Sequence, residues 1–253
     1  MSPIFFLEKG KGQSVILIHG FCETHEIWLE ISESLAAHYK VFCIDLPGFG
    51  KSPLPATPFS ISDISKLVLN WIKDEDIARP VIIGHSLGGY VALEMARQKP
   101  DCAAGLGLFH STAQADSPEK KENRNKVVDF VSRNGAKPFL DSFVPTLFYK
   151  KDHPSVNKIR EICNGTSKES IINYALAMRD RIDYQFVMDE FTEPILFICG
   201  GNDNFIPVEF SKKQAEKCTD PHFYVLNETG HMGMIEKPEN AAKAIKRFLQ
   251  ICF

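Results

Sequence analysis

Hydrophobic and polar positions along the chain fall into two alternating kinds of block. Short apolar runs rich in β-branched residues predict strands near 3–8, 14–18, 41–45, 81–84, 104–109, 194–199 and 222–227. Between them, apolar residues spaced three and four apart predict helices near 28–38, 62–74, 87–98, 208–217 and 239–251. This rhythm predicts an α/β protein, a mostly parallel sheet with helices on both faces. From about Ser111 to Phe191 the strand pattern lapses and only helix signals remain. Ser117-Pro118-Glu119 reads as an N-cap with proline in the first turn, Gly135 as a stop, Pro154 as a new start, Gly165 as its end, and Ser167–Arg181 as a further helix. The division expected is a core of residues 1–110 and 192–253 carrying a lid of about four helices at 111–191.

The sharpest change of period lies at residues 79–89, Arg-Pro-Val-Ile-Ile-Gly-His-Ser-Leu-Gly-Gly. A buried strand has to become a helix within about two residues, with Ser86 at the apex. Gly84 and Gly88 remove the β-carbons that would collide in such a turn. The serine hydroxyl is then exposed above a helix N-terminus, where backbone N–H groups point outward. Gly-x-Ser-x-Gly alone recurs by chance; a strand before it and a helix after it make it specific.

A serine hydroxyl needs a general base, and the base needs an orienting carboxylate. Asp203 follows the strand run Ile195–Cys199, and His231 follows Phe223–Leu226. Nucleophile, acid and base thus occur in the order Ser86, Asp203, His231, each just past a strand whose carboxyl end faces the ligand edge of an open parallel sheet. Asp45 also ends a strand, but its Pro-Gly neighbours and its place before the serine make it a turn residue. His85 reads as packing, His19 as holding its loop, and Cys22 as a small core residue. His110, Phe143 and Phe205 are candidate substrate contacts, although Phe139, Phe143, Leu147 and Phe148 read first as the insertion's own core and the roof of a pocket rather than as ligand-recognising residues. Met178-x-x-Arg181-x-Asp183 reads as an Arg–Asp pair anchoring the insertion.

His19-Gly20-Phe21, Asp45-Leu46-Pro47-Gly48-Phe49-Gly50-Lys51-Ser52, the Gly84–Gly89 turn, Gly200-x-x-Asp203-x-x-x-Pro207 and Gly230-His231-Met232 together resemble the α/β-hydrolase family in its compact, lid-bearing form, over nearly the whole chain. The resemblance implies that the backbone N–H groups of Phe21 and Leu87 form the oxyanion hole, worth several kcal/mol in catalysis. It also places the lid between the sixth and seventh strands, with the family's first strand missing here. The expected chemistry is cofactor-free and metal-free hydrolysis of a small or medium carboxylic ester, thioester or lactone through an acyl-enzyme. Carbon–carbon bond hydrolysis, a menaquinone-type elimination or perhydrolysis would use the same triad. A binding or receptor module without turnover is the reading from another class.

At 253 residues the chain fits one domain able to bury about 70–75% of its unfolded surface. A net charge of −3 gives no electrostatic case for nucleic acid. There is no apolar run long enough for a membrane span, and the opening Met-Ser-Pro-Ile-Phe-Phe-Leu-Glu lacks the pattern of a secretion signal. Seven scattered cysteines without Cys-x-x-Cys spacing fit reduced thiols in a cytoplasm. Charge is unevenly divided: residues 117–181 carry +5 and the remainder −8. A basic insertion can steer an anionic substrate or an acyl carrier protein; the simpler reading is a solvated helical surface.

Overall fold

The computed structural model describes residues 4–253. Among them, seven strands form one sheet: β1 Phe6–Lys9, β2 Ser14–Ile18, β3 Lys40–Ile44, β4 Val81–His85, β5 Gly105–Phe109, β6 Ile195–Gly200 and β7 Pro221–Leu226. Their order is β1-β3-β2-β4-β5-β6-β7. All neighbours pair in parallel except β1, which runs antiparallel to β3 with Phe6 opposite Ile44. Residue 3 of the expected first strand and the first three residues of the leader reading lie outside the described residues.

The helices are α1 Leu29–Leu35, α2 Ile61–Asp74, α3 Leu87–Gln98, α4 Pro118–Asn134, α5 Ala136–Phe143, α6 Val156–Cys163, α7 Lys168–Asp180, α8 Gln185–Glu190, α9 Val208–Ala215, α10 Gly233–Glu236 and α11 Pro238–Cys252. Going from β2 to β3 the chain moves one way along the sheet, and from β3 to β4 it crosses back over β2. Right-handed crossovers then put α1 and α2 on opposite faces. Val15–Ile18 and Val81–Ile83 are wholly buried, as strands covered on both sides must be. The reversal of strand order lies at β2 and β4, so the ends of these two strands open the crevice where ligands enter such sheets.

Five helices, α4 to α8, and a short 3-10 turn at Val144–Leu147 lie between β5 and β6. The insertion thus falls between the strands expected near 104–109 and 194–199, the pair that the resemblance numbers as the sixth and seventh. Ser117 caps α4 through its hydroxyl, which accepts Lys120 N–H, and Pro118 opens the first turn. Gly135, at φ +82°, ends α4 and starts α5 at once. The insertion is tied to the core by Ser170 Oγ–H donating to Gly48 O (2.6 Å), Tyr174 Oη–H to Pro47 O (2.7 Å) and Thr166 Oγ1–H to Cys22 O (3.2 Å).

Arg181 does not pair with Asp183 as the sequence spacing implies. Its Nη1 lies 2.8 Å from Asp116, with both side chains buried, and its guanidinium stacks 3.9 Å over the Tyr90 ring. Asp183 instead accepts backbone N–H groups from Ala115 and Gln185. No helix among the described residues is long and apolar enough to cross a membrane.

Candidate active site

Ser86 sits between β4 and α3 with φ +48° and ψ −110°, a strained backbone for a residue with a β-carbon. It is the one residue of Val81–Tyr90 that is not buried. The turn is possible because a β-carbon at Gly84 would run into the Gly88 backbone, and one at Gly88 into the carbonyls of Ile18 and His19. Two neighbours pin the apex: Ser86 N–H donates to Phe109 O (3.0 Å) and Ser111 Oγ–H to Ser86 O (2.7 Å).

The acid and base candidates meet at this edge. His231 Nδ1–H donates to Asp203 Oδ2 at 2.7 Å, which leaves Nε2 as the ring's acceptor. Asp203 Oδ1 accepts N–H from Phe205 (2.8 Å) and Ile206 (3.1 Å). Burial by itself would raise the Asp203 carboxyl. The charge of His231, its hydrogen bond and the close His110 ring outweigh it and hold the group well below the usual carboxylate range. The backbone of His231 is gripped too: its N–H donates to Leu147 O in the insertion (2.6 Å). The hydrogen bonds of the structure join His231 to Asp203 but do not join Ser86 Oγ to His231. Such a contact commonly tightens only when substrate is bound.

Leu87 opens α3, and Phe21 follows the His19-Gly20 pair at the end of β2. Among the described residues, neither Phe21 N–H nor Leu87 N–H donates a hydrogen bond, so both remain available to an oxyanion. The loop carrying Phe21 is braced by His19, whose Nδ1–H donates to Gly20 O (2.7 Å) while Nε2 accepts Leu46 N–H (2.9 Å). Burial lowers the His19 pKa, as this neutral tautomer requires. Cys22 is fully buried.

Phe143 and Phe205, the two aromatic candidates for substrate contact, lie close to each other. The Phe205 ring lies 5.0 Å from that of His231 and 6.1 Å from Phe143. Phe143 in turn stacks on Phe139 (5.1 Å) and meets Phe21 edge-on (6.1 Å). An aromatic wall thus runs from the Phe21 loop through the insertion to His231. His110 is different, and the substrate contact expected of it is corrected. Its ring is fully buried behind Asp203, with Nδ1 3.2 Å from Asp203 Oδ2 and 2.9 Å from Gly200 N, and Nε2 3.2 Å from Gly233 N. Burial pushes its pKa down to about 4, the Asp203 charge opposing only in part.

The donor atoms of His110, Asp203 and His231 all lie within 4.8 Å of one another, the spacing of a cation site. The set does not fit one. Asp203 and His231 already share a hydrogen bond at 2.7 Å, well inside the roughly 3.3–3.6 Å between neighbouring ligands of a tetrahedral ion with bonds of about 2.0–2.2 Å. A cavity of about 410 Å³ between Phe59, Glu94, Arg97 and Tyr184 touches none of the three candidates. A smaller one of about 150 Å³ borders the loop after Asp203 at Ile206 and Pro207 and includes Thr112 and Lys120.

Asp45 is the turn residue expected: it accepts His25 N–H (2.7 Å), His25 Nδ1–H (2.8 Å) and Lys51 N–H (2.9 Å). Glu23 was not anticipated. It is buried, accepts Gly20 N–H (2.7 Å) and lies 2.8 Å from His85 Nδ1. Burial would raise its carboxyl, but the charge and hydrogen bond of His85, with help from Gly20, hold it below the usual range. The signal was a carboxylate two residues past Phe21 together with a histidine just before Ser86.

The sequence model of the α/β hydrolase fold family matches residues 13–238. A thermophilic esterase from Thermogutta terrifontis, solved with malate bound, superposes with a TM-score of 0.93 at 30% identity, covering 98% of this chain and 93% of its own. The acetyltransferase component of the acetoin-cleaving system of Pseudomonas putida is 29% identical over 94% of this chain, which spans only 64% of that protein. A 2-hydroxy-6-oxo-6-(2'-aminophenyl)hexa-2,4-dienoic acid hydrolase from Metapseudomonas resinovorans is 26% identical over 96% of this chain and 86% of its own length. The chain belongs to the α/β-hydrolase family and is a carboxylesterase-like hydrolase.

Proposed function

We propose that this protein hydrolyses a small or medium carboxylic ester, thioester or lactone through an acyl-enzyme. The 2.7 Å bond from His231 to Asp203 beside the strained Ser86 turn is the observation that carries this reading. Ser86 Oγ attacks the carbonyl carbon while His231 Nε2 takes its proton. Asp203 keeps the imidazole in the tautomer with its proton on Nδ1 and stabilises the imidazolium. The N–H groups of Phe21 and Leu87 receive the oxyanion. His231 then protonates the leaving group, activates a water, and the acyl-enzyme is resolved to acid and free serine. The relay calls on no cofactor or metal.

Residues 111–191 act as a lid in this scheme. The Leu147 carbonyl on His231 and the Phe139–Phe143 stack beside Phe21 support that role. The substrate is a small molecule; delivery by an acyl carrier protein is the less direct alternative. A cytoplasmic site of action accords with seven free thiols. The resemblance to the Metapseudomonas enzyme favours carbon–carbon bond hydrolysis as the second reading.

A panel of p-nitrophenyl esters of rising acyl length tests the proposal. Rapid hydrolysis with a pre-steady-state burst is the expected result. Slow turnover without a burst favours the carbon–carbon reading, and no turnover at any length favours a binding module.

A further inference from the structure

Glu23 and His85 form a buried pair that the proposed relay does not use. Their side chains are 1% and 0% exposed, and their own contact is 2.8 Å. Glu23 Oε2 also accepts Gly20 N–H at 2.7 Å, one residue before Phe21. On its other side the His85 ring donates from Nε2 to the backbone carbonyl of His231 at 2.9 Å. His85 itself immediately precedes Ser86. Through two side chains, the oxyanion loop, the nucleophile turn and the base loop are therefore joined, although they lie far apart in sequence. A β-carbon on Gly20 would fall 2.6 Å from His85 Nδ1 and 2.8 Å from Glu23 Oε2, so the loop is fitted closely to the pair.

We propose that Glu23 and His85 are positioning residues, a buried strap that sets the Phe21 N–H donor and the His231 ring against Ser86. The proposal rests on the reading of Ser86, Asp203 and His231 as the triad. Stability alone does not account for the pair, because well-packed apolar side chains of similar volume serve a core as well as a buried ionisable pair or better. Placement does account for it. The carbonyl that His85 holds belongs to the base itself, whose N–H is held on the other side by Leu147. A donor or base displaced by about 1 Å can cost about a hundredfold in rate.

The test uses the full chain and the variants Glu23→Gln, His85→Gln and the double variant, with active sites titrated by a fluorophosphonate. Glu23→Gln keeps the shape and one acceptor but loses the charge. His85→Gln keeps a donor toward the His231 carbonyl and loses the bond to Glu23. Each single variant is expected to lower kcat per titrated site by about ten- to a hundredfold with KM nearly unchanged. Fluorophosphonate should label Ser86 more slowly by a similar factor. The double variant should be no slower than the worse single, since the two residues act as one unit. Wild-type kcat per titrated site in the variants overturns the proposal even if they melt earlier, because that is a structural effect only. Losses that multiply in the double variant also overturn it. If Glu23→Gln fails to fold, His85→Gln alone decides by the same kcat criterion. Failure of the wild type to label at Ser86 overturns the triad reading itself, a separate and recognisable outcome.

Discussion

Asp203→Asn separates the acid from its surroundings with the least change of shape. An asparagine keeps Oδ1 where Phe205 and Ile206 N–H need it, and so turns Nδ2 toward His231 Nδ1. Two donors cannot face each other. The imidazole must carry its proton on Nε2, the nitrogen that has to accept the Ser86 proton. The expected loss in kcat is ~10³–10⁴-fold, equivalent to about 4–5.5 kcal/mol of barrier. Exchanging one charge-assisted hydrogen bond costs about 1.5–3 kcal/mol of stability, or roughly 3–12 °C in Tm for a domain of this size. That stability has a definite sign with pH. The folded-state carboxyl is held below its ordinary value, so its contribution is full above about pH 4 and fades as pH falls below that. The Tm gap between wild type and Asp203→Asn should therefore narrow from pH 7 to pH 3. Steady-state hydrolysis of a p-nitrophenyl ester and a thermal melt at each pH suffice. A kcat within about tenfold of wild type would refute the assignment of Asp203 as the acid.

Asp45→Asn should do the reverse, lowering stability by about 1–3 kcal/mol through three buried hydrogen bonds while kcat stays within a few-fold; paired melts and rate measurements check it. Asp116→Ala leaves the Arg181 guanidinium buried without its carboxylate and should cost about 3–5 kcal/mol in a denaturant titration. An ester with a distal carboxylate should be hydrolysed at nearly the rate of a neutral ester of equal length. Arg124 and Arg181 are taken up by Asp116, Arg179 by Asp180 and Lys137 by Asp141, and exposed charges such as Lys120 contribute only ~0–1 kcal/mol. A strong preference for the anionic ester that disappears with salt and with Lys120→Glu would show instead that the insertion's charge recognises substrate.

Much of the core was legible because its elements are punctuated locally. β2 and α3 fall at 14–18 and 87–98 as their apolar runs and glycines require. The three triad candidates were legible for the same reason, each lying a few residues past a recognisable strand. The insertion was harder. Gly135 reads as a stop, yet it serves two helices at once, so α5 was hidden behind it. α8, at six residues, is too short to show a helical period. Partnerships across long sequence distance were not legible. Arg181 has an aspartate two residues away but pairs with Asp116, and Glu23 meets a histidine 62 positions on. His110 looked like a pocket residue because it ends a strand at the ligand edge. Its positive φ of +48° goes with a ring packed behind Asp203, and no local pattern announces that turn.

The most direct test of the account is labelling with a serine-reactive fluorophosphonate, followed by peptide mass mapping of wild type and Ser86→Ala. The account predicts one adduct, on Ser86, formed in step with loss of esterase activity, and neither adduct nor activity in a Ser86→Ala protein that is still folded. An adduct on another residue, or ester hydrolysis at the wild-type rate by Ser86→Ala, would contradict it.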